Sequence, residues 1–200
     1  MTHITDEMVR GQTIDAAAVD TFVARGTFVI AHNASFDRPF VERQWKIFET
    51  KPWACSMSQV HWYDEGIATQ KQELIALCLG FFYDAHRAGN DCRALLHILA
   101  APLPVSGKPA LKPLLDHAAQ DDALIWAIGA PFERKDILRM RGYRFNNGVN
   151  GHPRAWYRTV AADELEQELS YLDGIYEGGG ARDKVRVDRM SPLDRFSGRV

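Results

Sequence analysis

Cysteines, long apolar runs and one particular carboxylate pair are scarce or absent in this 200-residue sequence. The three cysteines form no Cys-x-x-Cys pair and are odd in number, so neither a disulfide framework nor a zinc site is predicted. No apolar stretch reaches the length of a membrane-spanning helix, and the N-terminus lacks the basic-then-apolar pattern of a signal peptide. We therefore expect a protein of the reducing cytoplasm that has no membrane partner.

The missing carboxylate pair is Asp-x-Glu. No aspartate in the sequence is followed two positions later by glutamate or aspartate. Residues i and i+2 of a strand point to the same face, so a strand with that pair presents two carboxylates together. Glu-x-Glu occurs only at Glu164, Glu166 and Glu168, in a helical pattern where i and i+2 face apart. The sequence therefore shows no substitute for an acid pair carried on a strand.

What is present is the composition of an ordinary globular chain, with 46% apolar residues, 25% charged residues and a formal net charge of −2. The length suits one medium domain, or a domain with a small appendage. Residues 131–160 hold seven basic and two acidic residues, a local charge of +5. Such a basic island can meet phosphate, or it can be the solvated surface of a small domain.

Helical and strand patterns alternate through the first part of the chain. The spacing of apolar residues predicts strands over 27–31 and 53–56 and helices over 14–25, from about 34 to 48, and over 71–79, 91–100 and 112–123. Strands that alternate with helices predict an α/β domain with a largely parallel sheet. We expect this first domain to cover residues 1–123.

A change of pattern near residue 130 predicts a second, small α+β module over residues 131–177. The module should contain a short helix over 135–141, a hairpin built on an Asn-Gly-rich loop, and a helix over 163–176. Three consecutive glycines then predict a flexible joint, followed by a basic tail; together they cover residues 178–200.

Two short segments carry the candidate chemistry. Asp37 comes in the first turn of a helix directly after a predicted strand, where parallel α/β sheets form ligand sites, although an acid there can also simply stabilise the helix. His86 stands on a glycine-containing loop five residues before Asp91, which opens the next predicted helix and can be a plain helix cap. Carboxylates and an imidazole are what metal-assisted phosphodiester hydrolysis needs.

These segments also carry a family resemblance. The sequence AHNASFD, from Ala31 to Asp37, resembles the second motif of the DEDDh 3′–5′ exonucleases, which are RNase-H-like enzymes related to the proofreading epsilon subunit of bacterial DNA polymerase III. HRAGND, from His86 to Asp91, resembles the third motif, and THITDEMV, at residues 2–9, is similar to the loop that leads into the helix before the second motif. The resemblance covers residues 1 to about 123, with the three segments in the family's order.

The resemblance implies an α/β chain with an incomplete RNase-H-like fold and a small α+β C-terminal appendage. It implies hydrolysis of phosphodiester bonds at the 3′ ends of single-stranded DNA or RNA with two divalent cations, Mg²⁺ or Mn²⁺. A DNA polymerase, or another replication or repair protein, is the implied partner. The implied catalytic residues are Asp37 and Asp91, which are also the metal ligands, and His86 as the general base; the implied substrate-binding residues are His32, Asn33 and Phe36.

The family's first motif is Asp-x-Glu on the opening strand of the sheet, and the resemblance begins only after that strand. We therefore expect a longer parent protein to carry the opening strands. We also expect apolar surface on residues 28–30 to lie without cover in the chain itself.

The small module interleaves aromatic residues with arginines and is similar to a C-terminal module of some proteins of this exonuclease type. Arg144, Arg154 and Trp156 are predicted to contact single-stranded substrate, unless the aromatic residues are the module's core and the arginines its rim. Three functions remain open at this point: an active exonuclease, a catalytically inactive nucleic-acid-binding or interaction module of exonuclease descent, and a plain α/β interaction domain whose motifs are helix caps.

Overall fold

The computed structural model describes residues 4–149, 151–176, 178 and 180–198, and these divide into two units. Unit 1 contains residues up to 119 together with residues 196–198, and unit 2 contains residues 120–195. The predicted boundary between the domains lay at 123–131, so the division falls a few residues earlier in the chain.

Unit 1 has the alternating strands and helices that its sequence pattern predicts. The strands are β1 (Val29–Ala31) and β2 (Trp53–Cys55). The helices are α1 (Asp6–Val9), α2 (Ala16–Ala24), α3 (Ala34–Gln44), α4 (Gln72–Cys78), α5 (Ala88–Ala100) and α6 (Leu111–Ala118), with a 3₁₀ turn at Lys46–Thr50. Unit 1 is therefore α/β, with helices outnumbering strands among the described residues.

The two strands of unit 1 pair in parallel. Val29 lies opposite Trp53, and Ala31 lies opposite Cys55. The Val29 N–H donates to the carbonyl of Pro52, and the Ala31 carbonyl accepts from the N–H of Ser56 at 2.9 Å. Because alternate residues of a strand direct their backbone groups to opposite sides, the N–H and C=O of Ile30 face away from β2.

That outer side of β1 borders an open groove of about 900 Å³. Helix α2 forms one wall, where Phe22 is 78% exposed, and Phe28, Val29 and Ile30 form another. β1 and β2 form a two-stranded sheet, so within the described residues β1 has a strand partner on one side only. The apolar surface expected to lie uncovered at residues 28–30 is therefore found only in part, because Phe28, Val29 and Ile30 are partly buried against the core, and it continues onto the exposed face of α2.

Unit 2 is a four-stranded antiparallel sheet with the strand order β4-β5-β3-β6. The strands are β3 (Asp122–Ala127), β4 (Arg144–Asn146), β5 (Ala155–Ala161) and β6 (Val185–Met190), and the helices are α7 (Lys135–Met140), α8 (Leu165–Asp173) and α9 (Ala181–Lys184), with 3₁₀ turns at Phe132–Arg134 and Ala162–Glu164. Each helical connection joins two strands that have one other strand between them. β5 lies between β3 and β4, and β3 lies between β5 and β6. This is the split βαβ arrangement of a β-α-β-β-α-β unit.

The core of unit 2 lies between one face of this sheet and its helices. Ala123, Ile125 and Ala127 of β3 point to that face, and Leu138 of α7 and Leu172 of α8 pack against them. Glu168 of α8 is also buried. The cost of burying its carboxylate is offset by hydrogen bonds from three side chains: Tyr143 Oη at 3.0 Å, Arg158 Nη1 at 2.9 Å and Arg141 Nη2 at 3.1 Å. Burial and this carboxylate raise the pKa of Tyr143.

Three expectations about the chain's organisation need correction. The helix predicted over 112–123 ends at Ala118, and β3 follows at once, so the small unit begins before residue 131. The segment predicted to be a basic tail, 178–200, contains α9 and the edge strand β6, which pairs with β3 along its whole length. Helix α5 begins at Ala88 rather than at Asp91, because Arg87 already has extended backbone and serves as the N-cap.

Candidate functional site

Asp37 lies where the sequence places it, in the first turn of α3 directly after β1. Its N–H donates to the carbonyl of Asn33, which is the helix N-cap residue. The Asp37 side chain is half-buried, and this burial raises the pKa of its carboxyl group above the ordinary value. Burial and a raised pKa are compatible with a functional acid, and the position in the first turn is equally compatible with an acid that stabilises the helix.

His32, at the end of β1, uses both ring nitrogens inside unit 1. Nε2 lies 2.8 Å from the carbonyl oxygen of Gln70, and Nδ1 lies 2.8 Å from Oγ of Ser56, which follows β2. Because a carbonyl only accepts, Nε2 carries the hydrogen and Ser56 donates to Nδ1. Burial lowers the pKa of His32, which keeps the ring neutral and makes it a brace between two strand ends.

Asn33 and Phe36 lie beside this brace. Asn33 Oδ1 accepts from the Ser35 hydroxyl at 3.2 Å, so its side chain orders the first turn of α3. Phe36 is 60% exposed, and its ring lies 5.1 Å from the ring of Phe40, one turn further along α3. The guanidinium of Arg43 lies over the Phe40 ring at 5.6 Å. An exposed aromatic pair with a cation is a surface on which bases can stack.

His86 and Asp91 are in direct contact. The backbone N–H of His86 donates to Oδ1 of Asp91 at 3.2 Å, and the hydroxyl of Tyr83 also bonds to the Asp91 carboxylate. Burial and this carboxylate raise the pKa of Tyr83 to about 12. The His86 side chain is exposed, and its φ of 68° is left-handed, a conformation that few residues other than glycine adopt. Such backbone strain is concentrated at functional sites.

The two motif segments are joined through the start of α4. Gln70 accepts the hydrogen bond of His32, and two residues later the Gln72 side chain donates to the backbone carbonyl of Asp91 at 2.7 Å. The end of β1 and the start of α5 are therefore braced to the same short segment. Within the described residues, however, no group of three or more His, Cys, Asp or Glu side chains gathers around one point.

The three predicted substrate residues of unit 2 do not share one face. Arg144 of β4 lies opposite Tyr157, whereas Phe145 lies opposite Trp156, and their rings meet edge to face at 5.5 Å. Neighbouring residues of a strand point to opposite faces, so Arg144 and Trp156 project to opposite sides of the sheet. Trp156 is only partly exposed and packs against the core on the helix-bearing side. Arg154 is exposed just before β5 begins.

A different set of residues shares the sheet face that does not carry the helices, where Trp126 is buried and Tyr157 is partly exposed. Arg144 pairs with Tyr157, Tyr157 pairs with Trp126, and Trp126 pairs with Arg186 across the four strands. Sequence inspection missed this set because its members come from four strands, two of which were not predicted. The alternation in Val185 to Asp188, where apolar and charged residues take turns, is the available signal for the fourth strand.

No protein-family model, no curated protein and no solved structure matches this chain. None of the helices in the described part of the chain is long and apolar enough to span a bilayer. The likeness to the exonuclease motifs therefore rests on the sequence segments alone.

Proposed function

We propose that this chain acts in 3′–5′ exonucleolytic hydrolysis of single-stranded DNA or RNA, with His86 as the general base and Asp37 and Asp91 as two of the site's carboxylates. The observation that carries the proposal is the loop at His86. An exposed imidazole stands on a strained backbone whose own N–H holds the carboxylate of Asp91. A base that takes a proton from water has to be reachable and held next to the acids it serves.

The surroundings of the second acid add support. Asp37 lies beyond the carboxyl end of β1, half-buried, with its pKa raised by desolvation. Phe36, the residue before it, is exposed and packs at a tilt against Phe40, which suits contact with the bases of a 3′ end. His32 and Asn33 order the same turn from inside.

The cations that such a reaction uses, Mg²⁺ or Mn²⁺, prefer several carboxylate oxygens. The described residues do not fit a two-cation site by themselves, because they include no cluster of three ligands. The proposal therefore requires further carboxylates, and the free edge of β1 is the place for a strand that carries them. The backbone groups of Ile30 face that edge, and the apolar groove beside it has room for the strand's side chains.

A fusion tests this directly. A short strand of alternating apolar residues with Asp-x-Glu at its centre is joined to the N-terminus of the chain by a flexible linker. With Mg²⁺ or Mn²⁺, the fusion should shorten a 5′-labelled oligonucleotide from its 3′ end. The replacement His86→Ala in the same fusion should slow the reaction by about 10²- to 10⁴-fold, as expected for loss of a general base.

The matched control is the same fusion with Asn-x-Gln in place of Asp-x-Glu, which keeps the shape and removes both charges. Shortening that is equal in the two fusions, or that survives His86→Ala, would contradict the proposed roles. Binding of the oligonucleotide without hydrolysis by either fusion would instead favour the second candidate below.

The second candidate is a catalytically inactive nucleic-acid-binding or interaction module of exonuclease descent. The absence of a three-ligand cluster from the described part of the chain favours it. For both candidate functions we propose a cytoplasmic location and a DNA polymerase, or another replication or repair protein, as the partner.

A further inference from the structure

Four residues form one straight row across the sheet of unit 2, which we call the aromatic row: Arg144, Tyr157, Trp126 and Arg186. Each is the direct register partner of the next, on β4, β5, β3 and β6 in turn. Directly opposed residues of antiparallel strands project to the same face. The core residues of β3, such as Ile125, alternate with Trp126 and point to the other face, where the helices lie.

The two rings of the row are packed as a pair with a cation at either end. The ring centroids of Trp126 and Tyr157 are 5.1 Å apart. Three strand spacings of about 4.8 Å place the backbones of Arg144 and Arg186 about 14 Å apart, on either side of the rings. One negative charge lies beside the row: Asp188 accepts from Trp126 Nε1 at 2.9 Å and pairs with Arg186 at 2.8 Å. The two arginines and this carboxylate leave the row positively charged.

His152 already stands in the stacking position over Trp126. The two rings lie 5.4 Å apart and only 14° from parallel, which is the geometry of one planar ring lying on another. With His152 in place, Trp126 is 3% exposed. The imidazole of His152 therefore occupies the position over the Trp126 indole that a planar base would take.

The main chain at His152 is held in place beside Trp126. The carbonyl oxygens of His152 and Pro153 both accept from Nδ2 of Asn146, at 3.4 Å and 2.8 Å, so the backbone at this point is tied to β4. A rotation of the His152 side chain about its own bonds vacates the stacking position while these hydrogen bonds persist.

We propose that the aromatic row binds two successive bases of a single-stranded nucleic acid, one on Tyr157 and one on Trp126 in the position that His152 occupies. Arg144 and Arg186 meet the phosphates on either side. A four-stranded antiparallel sheet with aromatic residues on the face away from its helices can bind unpaired bases in this way, because every base has a flat face. In this sheet Arg144 and Arg186 are exposed and Tyr157 is partly exposed, and Trp126 becomes available when His152 gives up its place. The identity of the ligand as nucleic acid rests on the proposed function, but binding at the row requires no catalysis.

The row differs from the substrate contacts expected from the sequence. It retains Arg144, replaces Trp156 by its neighbour Tyr157, and adds two residues from β3 and β6. Trp156 and Phe145 face the other side of the sheet, where they contact each other. The prediction for Arg154 is separate from this row.

The test measures binding of fluorescently labelled oligothymidylate and oligouridylate to the full chain in EDTA, where divalent cations are withheld. Tyr157→Ala should weaken binding about tenfold through lost stacking, and Tyr157→Phe should restore it. Arg144→Ala should weaken binding and reduce the slope of log affinity against log salt by about 0.7. The two probes differ in the sugar and in the C5 methyl group of the base, so the tighter of them identifies the better ligand of the pair.

Arg189→Ala is the matched control, because Arg189 is an exposed arginine of β6 that pairs with Ala123 and so projects to the opposite face. It should leave both the affinity and the salt slope unchanged. His152→Ala should tighten binding severalfold, because the ring that covers Trp126 is gone.

The proposal is overturned if the unsubstituted chain binds neither oligonucleotide, if Arg144→Ala and Arg189→Ala behave alike, or if His152→Ala weakens binding. Arg144 is exposed, so its replacement tests the row even if Tyr157→Ala fails to fold. Loss of hydrolysis in the fusion experiment with binding at the row intact would count against the proposed function alone. Hydrolysis with a row that binds nothing would count against the row alone.

Discussion

The two units of this chain contain sheets in opposite conditions. In unit 2 the sheet has four strands, helices cover one face, and the central strand β3 is buried along its whole length. In unit 1 the sheet has two strands, and β1 has an outer edge that borders an open apolar groove. The difference shows that pairing with one neighbouring strand is enough to position a short apolar strand such as β1. Full burial, as in β3, needs a strand on each side.

A pair of isoleucine truncations should show the largest difference between the units. Ile125→Ala removes a side chain with no exposure at the centre of β3, and it should lower the free energy of unfolding of unit 2 by about 2–5 kcal/mol. Ile30→Ala removes a half-buried side chain on β1 and should cost unit 1 clearly less. Hydrogen exchange of β3 and β1 in the full chain measures both, and equal losses would contradict the comparison.

Glu168→Gln should give the next largest effect. The buried carboxylate accepts from Tyr143, Arg158 and Arg141, and the amide that replaces it carries no charge and turns an N–H₂ toward donors. We expect unit 2 to lose about 1–3 kcal/mol in urea unfolding. Glu166→Gln on the same helix is the control, because its pair with Arg182 lies at the surface and should contribute little. A larger loss at Glu166 would refute the role of the buried network.

Asp37→Asn should stabilise unit 1 slightly, in contrast to the losses above. Burial raises the folded-state pKa of Asp37, so folding favours its protonated form and the ionised form reduces stability at neutral pH. The gain should be under about 1 kcal/mol at pH 7, since the side chain is only half-buried, and it should vanish as the pH falls below the ordinary pKa of aspartate. Asp20→Asn, at an exposed position of α2, is the control. Destabilisation at pH 7 would identify Asp37 as a structural cap.

Phe22→Ser should have the smallest effect on stability and still distinguish the two units. Phe22 is 78% exposed on the wall of the groove, so its loss should hardly change unfolding of the chain. It should, however, reduce binding of the dye ANS, which reports exposed apolar surface. Phe145→Ser, which replaces a half-exposed ring of unit 2, serves as the comparison and should leave dye binding nearly unchanged. Equal reductions would mean that the groove is not the main uncovered surface.

Much of unit 1 could be predicted from its sequence because its signals are local. The helix at residues 16–24 has apolar spacing and an N-cap, Asp15, which accepts from the N–H groups of Ala17 and Ala18. The strand at 29–31 is a short apolar run that ends at a polar turn. The contact between His86 and Asp91 joins residues five positions apart. Features that depend on residues so close together in the chain can be predicted from a short stretch of sequence.

Unit 2 was harder to predict because its two missed strands depend on distant partners. Ala123 to Ala127 is a continuous apolar run after a predicted helix, and such a run is equally typical of the end of that helix. It is a strand because β5 and β6, some thirty-five and sixty residues away, pair with both of its edges. β6 alternates in the pattern of a strand, but the glycines and the basic residues around it favoured a tail.

The sequence alone determined which residue types stand in the exonuclease-like motifs and in what order, and it determined that no strand with Asp-x-Glu accompanies them. Only the tertiary structure decided that β1 keeps one edge open, that Arg144 and Trp156 face apart, and that an arginine, two aromatic rings and a second arginine align across four strands. The physical reason is that side-chain alternation is a property of each strand, whereas register is set by hydrogen bonds between strands far apart in the chain.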